Sequence, residues 1–262
     1  MQPLPGRNAS RQYYVIYPLI RALMSFLFRV TVSGQQHVPT GPYVVVSNHN
    51  NWLDPFLLAR ALPMQPRLWV LGAEDIIWNS PMKQKFFSFT GGVVPIDRRR
   101  SAADRAAIAA MRGVLERGGA VGLFPEGGIG FYEGRIRTFK HGAALIALQA
   151  GVPLLPVGIS GTSDLWFRKR ITVRIGPPVT VGTVDPREAA RSRTRQMTVE
   201  SEKAVRSLID PPGRHSETRG PKLLRRFLNP WAHKRPAEPF PEPTWVTDAS
   251  KAPILAETTT RP

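Results

Sequence analysis

The sequence contains no cysteine, comparatively few acidic residues and no long uninterrupted apolar run. The absence of cysteine excludes disulfides, thiolate-bound zinc, iron–sulfur clusters and a thiol nucleophile. The 19 acidic residues stand against 36 Lys and Arg, which gives a formal charge of +17 over 262 residues. A chain this basic attracts polyanions, such as nucleic acids, anionic lipid surfaces or phosphorylated small molecules. Its 42% hydrophobic content is ordinary for a folded protein and argues against disorder throughout.

The stretch 13–30 is the most apolar part of the chain, but it is a poor membrane span. Arg21 stands near its middle, where a charge is costly in a bilayer, and Pro18 would kink a helix. The stretch instead predicts an amphipathic helix with apolar residues at helical spacing: Val15, Leu19, Leu23, Phe26, Leu27 and Val30. We interpret residues 1–30 as a membrane-associating helix, the alternative being a helix packed on the folded domain.

Residues 211–262 differ in composition from the rest of the chain. Ten of the 26 prolines fall there, and the only helix-like piece is 222–228, which mixes basic and apolar residues. This composition predicts a disordered tail. Its basic piece could contact an anionic membrane, or the tail could be solvated and have no partner.

Between these ends, residues 31–210 alternate β-rich runs with helical patterns. Strands are predicted at 43–47, 68–72, 93–96, 120–124, 152–159 and 171–175. Helices are predicted at 55–62, 81–89, from Ser101 to the glycines 118 and 119, at 139–150 and at 188–209. The alternation predicts an α/β fold, in which helices flank a mixed, largely parallel sheet.

The loop after the first predicted strand carries a candidate catalytic pair. His49 leaves the strand, and Asp54 stands five positions later at the start of a helix. A turn of this length brings the carboxylate to one imidazole nitrogen and leaves the other nitrogen as a base. The alternative is structural: Asp54 acts as the N-cap of its helix, and His49 only completes the loop.

Two later loops carry charge or glycine. Arg98 opens a run of three arginines that leads into a helix N-terminus, a combination suited to phosphate. The loop after the fourth predicted strand contains Glu126 and Gly127, and glycine lets the backbone approach a ligand closely. Three cations follow shortly after it: Arg135, Arg137 and Lys140.

Together these loops resemble the four sequence blocks of the 1-acylglycerol-3-phosphate acyltransferase family, the glycerolipid acyltransferases. His49 to Asp54 matches the His-x4-Asp block, and Arg98 closes the second block, in which Pro95 replaces the usual Phe. The Phe-Pro-Glu-Gly block is 124–127, and the apolar Val-Pro-x-x-Pro-Val strand is 152–157. Four blocks in order are far more specific than any one of them.

The resemblance implies the glycerolipid acyltransferase fold over residues 31–210 and O-acyltransferase activity. The implied reaction moves a fatty acyl group from acyl-CoA or acyl-carrier protein to the free hydroxyl of 1-acylglycerol-3-phosphate. The product would be phosphatidic acid, in phospholipid biosynthesis. The resemblance also implies the roles of the site residues: His49 is the base, Asp54 orients it, and the acceptor is bound by Arg98, Glu126, Gly127 and Lys140.

The expected partners follow from the same resemblance. They are the acyl donor, a lysophospholipid acceptor and an anionic membrane surface, without specific nucleic acid. We expect no cofactor and no metal. The expected location is the cytoplasmic face of the cell membrane, with peripheral or monotopic attachment.

The chain departs from the family in the third block. Gly128, Ile129 and Gly130 replace the usual Thr-Arg-Ser, whose arginine is associated with the acceptor's phosphate. An alternative is therefore an acyltransferase acting on another lysolipid, such as a lyso-ornithine lipid, a lysophospholipid or a glycolipid. A remote alternative is a basic nucleic-acid-binding protein, although the basic residues are scattered and match no binding motif. The intact His49 and Asp54 pair argues against an inactive membrane scaffold.

Overall fold

The computed structural model describes residues 11–73, 81, 92–96, 101–180, 190–215 and 221–238. Almost all of the helix predicted at 81–89 lies outside these residues, and so does Arg98. The positions of the other predicted strands and helices can be compared with the structure.

The described strands form one mixed sheet of seven. They are β1 (Arg29–Ser33), β2 (Val44–Ser47), β3 (Leu68–Ala73), β4 (Val93–Ile96), β5 (Ala120–Leu123), β6 (Leu154–Ser160) and β7 (Arg170–Ile175). Their order across the sheet is β1-β7-β6-β2-β5-β3-β4. The five strands from β6 to β4 pair in parallel, whereas β7 runs antiparallel to β6 and β1 runs parallel to β7. The prediction of a mixed, largely parallel sheet is confirmed.

Helices cover both faces of this sheet. They are α1 (Arg11–Leu27), α2 (Asp54–Ala61), α3 (Ser101–Glu116), α4 (Gly142–Ala150), α5 (Ala190–Leu208) and α6 (Lys222–Leu228). One apolar core lies between the sheet and helices α1, α2 and α6, and includes Leu58 and Leu228. A second core lies on the side of α3, α4 and α5, and includes Met111 and Met197.

Strand β2 lies between β6 and β5, and its sequence explains this central position. Val44, Val45 and Val46 are all fully buried. Val45 belongs to the first core, whereas Val44 and Val46 belong to the second. Because successive strand residues face opposite sides, an unbroken valine run fits a strand that is covered on both faces. The loop that follows β2 therefore starts at the middle of the sheet.

The N-terminal region corrects one expectation. The helix predicted over 13–30 ends at Leu27, and the next residues form β1, which runs across the expected boundary at residue 30. The β-branched residues Val30, Thr31 and Val32 favour a strand. Their partner is β7, in register from Arg29 opposite Arg170, and such a distant pairing leaves no trace in the local pattern.

Helix α1 packs on the domain through one face only. Tyr13, Tyr17 and Met24 are buried, and Met24 belongs to the first core. The packing alternative is therefore correct for this face. Much of the predicted apolar face is exposed instead, at Val15, Leu19, Leu23 and Phe26. Among the helices that the structure describes, none has both the length and the hydropathy that crossing a bilayer requires.

The C-terminal region corrects the expectation of a disordered tail for residues 221–238. Helix α6 has the bounds of the predicted 222–228 piece. Leu228 and Asn229 are buried, and Leu228 belongs to the first core. The proline and basic residues of this stretch are typical of a disordered segment. A few apolar side chains are nevertheless enough to fold it, because they pack on a core that already exists. Residues 239–262 lie outside the described part of the chain.

Candidate active site

Two neighbouring parallel strands bring the catalytic candidates together. Val46 of β2 pairs with Leu123 of β5, so the loops that follow these strands leave the same edge of the sheet. The ring of His49 in the first loop stacks on the ring of Phe124 in the second, with centroids 4.2 Å apart and planes 20° apart. The two loops thus meet at this edge of the sheet.

His49 and Asp54 form the predicted pair. The His49 Nδ1 atom lies 2.9 Å from the Asp54 Oδ2 atom, with Asp54 fully buried and the His49 side chain 18% exposed. Because a carboxylate accepts a hydrogen bond, this contact places the proton on Nδ1 and the lone pair on Nε2. The pair has the arrangement of a general base with its orienting acid.

The carboxylate of Asp54 also shapes the loop rather than capping its helix. Its Oδ2 atom accepts the backbone N–H of Asn50 at 2.7 Å and that of Asn51 at 2.8 Å. The N-cap position of α2 is Leu53, so the predicted N-cap role of Asp54 is wrong. One oxygen thus receives three donors, while Oδ1 has no hydrogen-bond partner among the described residues.

Asn48 fixes the start of the same loop. Its side chain donates from Nδ2 to the Ile159 carbonyl and accepts the Ile159 N–H at Oδ1, both at 2.8 Å. This paired contact ties the residue before His49 to strand β6. The sequence showed an asparagine in front of the histidine, but nothing local indicated that it holds the loop to a strand 111 residues away.

The buried side chain of Glu126 joins the two loops through hydrogen bonds. Its Oε1 atom accepts the His49 backbone N–H at 2.8 Å, and its Oε2 atom accepts the Arg137 backbone N–H at 2.9 Å. The side chain is only 3% exposed. Burial raises the pKa of Glu126 to about 8, against the opposing effect of these two N–H donors. Glu126 is placed to position His49, while its predicted contact with the acceptor stays a prediction.

Gly127 and Lys140 lie together at the outer side of this loop. Gly127 has a φ of +73°, which favours glycine, and a Cβ atom there would stand 2.6 Å from the Lys140 Nζ atom. The Lys140 backbone N–H donates to the Pro125 carbonyl at 2.9 Å. Two of the predicted acceptor-binding residues are thus adjacent. Arg98, another of the four predicted acceptor-binding residues, lies outside the described residues.

Gly130 closes the contact between the two loops. Its backbone N–H donates to the His49 carbonyl at 2.6 Å. A Cβ atom on Gly130 would stand 2.9 Å from Asn50 Oδ1, 3.3 Å from Glu126 Oε2 and 3.4 Å from the His49 carbonyl oxygen. A side chain at this position would therefore displace the amide of Asn50 and press on Glu126 and the His49 carbonyl.

A segment that sequence reasoning left out of the site supports the catalytic loop from outside. We call residues 225–231 the C-terminal strap. The Trp52 Nε1 atom donates to the Leu228 carbonyl at 3.1 Å, and the Asn51 Nδ2 atom donates to Asn229 Oδ1 at 3.2 Å. A shallow cleft separates the strap from the loops, lined in part by Asn50, Trp52, Ile129, Phe131 and Trp231. The mixed apolar and basic pattern at 222–228 was the only sequence signal for this support.

Asn229 anchors the strap. Its Oδ1 atom accepts the Leu165 N–H at 2.7 Å, and its Nδ2 atom donates to the carbonyls of Leu165 at 2.9 Å and Arg225 at 2.8 Å. Every polar atom of this buried amide is thereby used. The strap is held to the domain beside β7 as well as to the catalytic loop.

Comparison with known proteins gives consistent results. The family model described as Acyltransferase matches residues 29–160. The chain is 32% identical over 194 residues to the 1-acyl-sn-glycerol-3-phosphate acyltransferase alpha of Mus musculus, covering 69% of this chain and 65% of that relative. It is 31% identical over 147 residues to the 1-acyl-sn-glycerol-3-phosphate acyltransferase of Salmonella typhimurium, covering 54% of this chain and 58% of that relative.

A solved structure agrees with the fold. The crystal structure of the 1-acyl-sn-glycerophosphate (LPA) acyltransferase PlsC from Thermotoga maritima superposes with a TM-score of 0.53 at 21% identity. The match covers 73% of this chain and 80% of that one. The family prediction is confirmed, and the nucleic-acid alternative finds no counterpart in these matches. From the match of the family model over residues 29–160, half of its length, the chain belongs to the acyltransferase family.

Proposed function

We propose that the protein is a 1-acylglycerol-3-phosphate O-acyltransferase. It transfers a fatty acyl group from a thioester donor, acyl-CoA or acyl-carrier protein, and forms phosphatidic acid in phospholipid biosynthesis. The observation that carries the proposal is the His49 and Asp54 pair, held at 2.9 Å on a loop that Glu126, Asn48 and Gly130 fix in place. The names of the relatives support the acceptor class.

The reaction needs one base and no enzyme nucleophile. The Nε2 atom of His49 takes the proton of the acceptor hydroxyl, whose oxygen bonds to the thioester carbonyl carbon. Collapse of the tetrahedral anion breaks the C–S bond, and the leaving thiolate takes the proton back from His49. Asp54 stabilises the imidazolium between these steps through its contact with Nδ1. The donor supplies an activated acyl group, so the proposal includes no resident cofactor.

Positive charge beside the loop supports an anionic acceptor. The Lys140 ammonium stands over Gly127, is exposed, and makes no hydrogen bond or ion pair with the described residues. A lysine in this setting binds phosphate as a point charge. In this proposal Lys140 and Arg98 contact the acceptor phosphate, and Gly127 leaves the space that the ammonium occupies.

The outer face of α1 supports attachment to an anionic membrane surface. Its apolar side chains and Phe167, which packs edge-on against Phe26, are between 43% and 65% exposed: Tyr14, Val15, Leu19, Leu23, Phe26 and Phe167. Arg168 binds the carbonyls of Ser25 and Phe26 beside them. An apolar row with adjacent cations is typical of a helix that lies in a bilayer interface. The proposed location is the cytoplasmic face of the cell membrane, with peripheral or monotopic attachment.

The test is acyl transfer by purified protein in mixed micelles. Labelled acyl-CoA and acyl-carrier protein are offered in separate arms with lysophosphatidic acid, a lysophospholipid or lyso-ornithine lipid. The variants are His49→Ala and, as a matched control, His233→Ala on the exposed part of the C-terminal segment. We expect phosphatidic acid from wild type and His233→Ala and none above background from His49→Ala. Equal product from His49→Ala would refute the mechanism.

A second candidate is acyl transfer to another lysolipid. Ile129 favours it, because it stands where the family has the arginine associated with the acceptor phosphate. Product with lyso-ornithine lipid or a lysophospholipid, and none with lysophosphatidic acid, would retain the chemistry and change the acceptor.

A further inference from the structure

Helix α6 leaves one large apolar side chain in solvent. Leu224 and Leu228, four positions apart, pack on the first core. Phe227, between them in sequence, is 70% exposed, more than any other large hydrophobic side chain that the structure describes. Its neighbour Arg226 is also exposed. An aromatic ring next to a cation fits a partner that is apolar and anionic at once.

The loop 164–168 joins this part of the chain to the exposed apolar face of α1. The Leu165 N–H donates to the Asn229 Oδ1 atom at 2.7 Å. Two residues further on, the Phe167 ring packs edge-on against Phe26, with ring centroids 5.6 Å apart. Two residues of chain span at most about 7 Å, so the C-terminal strap lies beside the C-terminal end of α1. Both helices, α1 and α6, cover the same face of the sheet.

Building on the proposed function, we infer that Arg226 and Phe227 form a second contact with an anionic bilayer. The Phe227 ring enters the boundary between headgroups and acyl chains, and the Arg226 guanidinium lies among the anionic headgroups. This contact extends the membrane surface of α1 to the strap. The exposed apolar side chains of the two helices then contact the same bilayer.

The second contact lies next to the catalytic loop. Leu228, which follows Phe227, accepts the indole N–H of Trp52 at its carbonyl. A lysolipid acceptor keeps its acyl chain in the bilayer, while its hydroxyl must reach His49. A single contact through α1 leaves the domain free to roll about that helix. A second contact on the strap fixes the side of the domain that carries the cleft against the bilayer.

Vesicle binding tests the contact directly. The full chain is sedimented with vesicles of phosphatidylcholine, alone or mixed with phosphatidylglycerol. The variants are Phe227→Ser, Phe227→Trp and Arg226→Gln. The matched control is Arg112→Gln, which removes an exposed arginine from α3 on the other face of the sheet.

The variants should differ in a defined way. We expect Phe227→Ser to bind both kinds of vesicle about tenfold more weakly, because the apolar contact is lost. Arg226→Gln should bind about fivefold more weakly, and only to the anionic vesicles. Phe227→Trp should bind at least as tightly as wild type, because tryptophan favours the interface. Arg112→Gln should match wild type.

Activity separates a membrane contact from structural support of the catalytic loop. Lysophosphatidic acid is offered in a long-chain form embedded in the vesicles and in a short-chain form dissolved as monomers. We expect Phe227→Ser to lose about tenfold in initial rate with the embedded acceptor, in line with its weaker binding. With the dissolved acceptor it should match wild type. Phe227→Trp should retain both activities.

Three results would overturn the inference and leave the proposed function intact. The first is vesicle binding by Phe227→Ser equal to that of wild type. The second is an equal loss of activity with both acceptors, which would mean that Phe227 only supports the strap. The third is a dimer in vesicle-free solution that Phe227→Ser dissociates, which would assign this surface to a second copy. A wild type that makes no phosphatidic acid from either acceptor would instead refute the proposed function, while vesicle binding would still decide the inference.

Discussion

Replacing Asp54 by asparagine separates its charge from its positioning role. His49 Nδ1 and the N–H groups of Asn50 and Asn51 all converge on Oδ2 at 2.7 to 2.9 Å, and Oδ1 has no partner among the described residues. In Asp54→Asn the amide oxygen can take the Oδ2 position and keep all three hydrogen bonds. The variant then loses the negative charge and places its NH2 group at the buried, unpartnered Oδ1 position, whereas Asp54→Ala loses the charge and the acceptor together.

The two variants should therefore fail in different ways. An imidazolium and a carboxylate about 4 Å apart attract by about 4 kcal/mol at an effective dielectric constant near 20, which is about a thousandfold in rate. We expect Asp54→Asn to lower kcat by about that factor and the free energy of unfolding by less than about 2 kcal/mol. Asp54→Ala should lose about 3–5 kcal/mol of stability, because buried N–H donors of the loop lose their acceptor.

The assay is kcat at saturating lysophosphatidic acid and acyl-CoA, with urea unfolding followed by circular dichroism for each variant. A kcat for Asp54→Asn within tenfold of wild type would refute the charge argument. Equal stability of Asp54→Asn and Asp54→Ala would show that the carboxylate does not hold the loop. Either result would contradict the two roles assigned to Asp54, stabilising the imidazolium and holding the loop through three hydrogen bonds to Oδ2.

Three other perturbations test the surroundings of His49. With a folded pKa near 8 against the ordinary 4.5, Glu126 keeps its proton in the folded state where the unfolded chain releases it. The free energy of unfolding of wild type should therefore fall as pH rises from about 5 to 8, by up to about 1.4 kcal/mol per pH unit. Urea unfolding of Glu126→Gln should lack this pH dependence. Equal slopes for the two proteins would contradict the burial argument. Gly130→Ala should lower kcat at least about tenfold, because its methyl group meets the catalytic loop. Gly142→Ala should stay active, because a methyl group at this position, at the start of α4, meets no atom within 4 Å. Equal activities of the two variants would refute this steric argument. Asn229→Ala should lower the free energy of unfolding by about 2–4 kcal/mol, as measured by chemical denaturation, because the polar groups that its amide binds lose their partner; a change below about 0.5 kcal/mol would show that the strap is not anchored there.

Local patterns were sufficient for the elements whose partners are close in sequence or whose burial is uniform. The valine run of β2 predicts a strand, and the five-residue spacing from His49 to Asp54 predicts a contact between them; each pattern spans only a few residues. The predicted contact between His49 and Asp54 followed from that spacing, and the 2.9 Å distance between Nδ1 and Oδ2 agrees with it.

Non-local hydrogen bonds account for what the sequence could not show. Strand β1 exists because β7 offers it a partner, and Glu126 positions His49 from a loop 77 residues away. The composition of the strap resembles that of a disordered tail, and only its contacts with Trp52 and the first core reveal that it is folded. Spacing rules cannot anticipate contacts of this kind, because nothing in the local sequence distinguishes an exposed polar group from one with a distant partner.

The strap also sets an order of events during synthesis. The loop that carries His49 is made early, but Asn51 meets Asn229 only after 178 further positions have been added. A nascent chain that ends before the strap lacks one wall of the cleft and the carbonyl that the Trp52 indole N–H binds. Domains generally fold as units, so catalytic competence should appear late, once the strap is available.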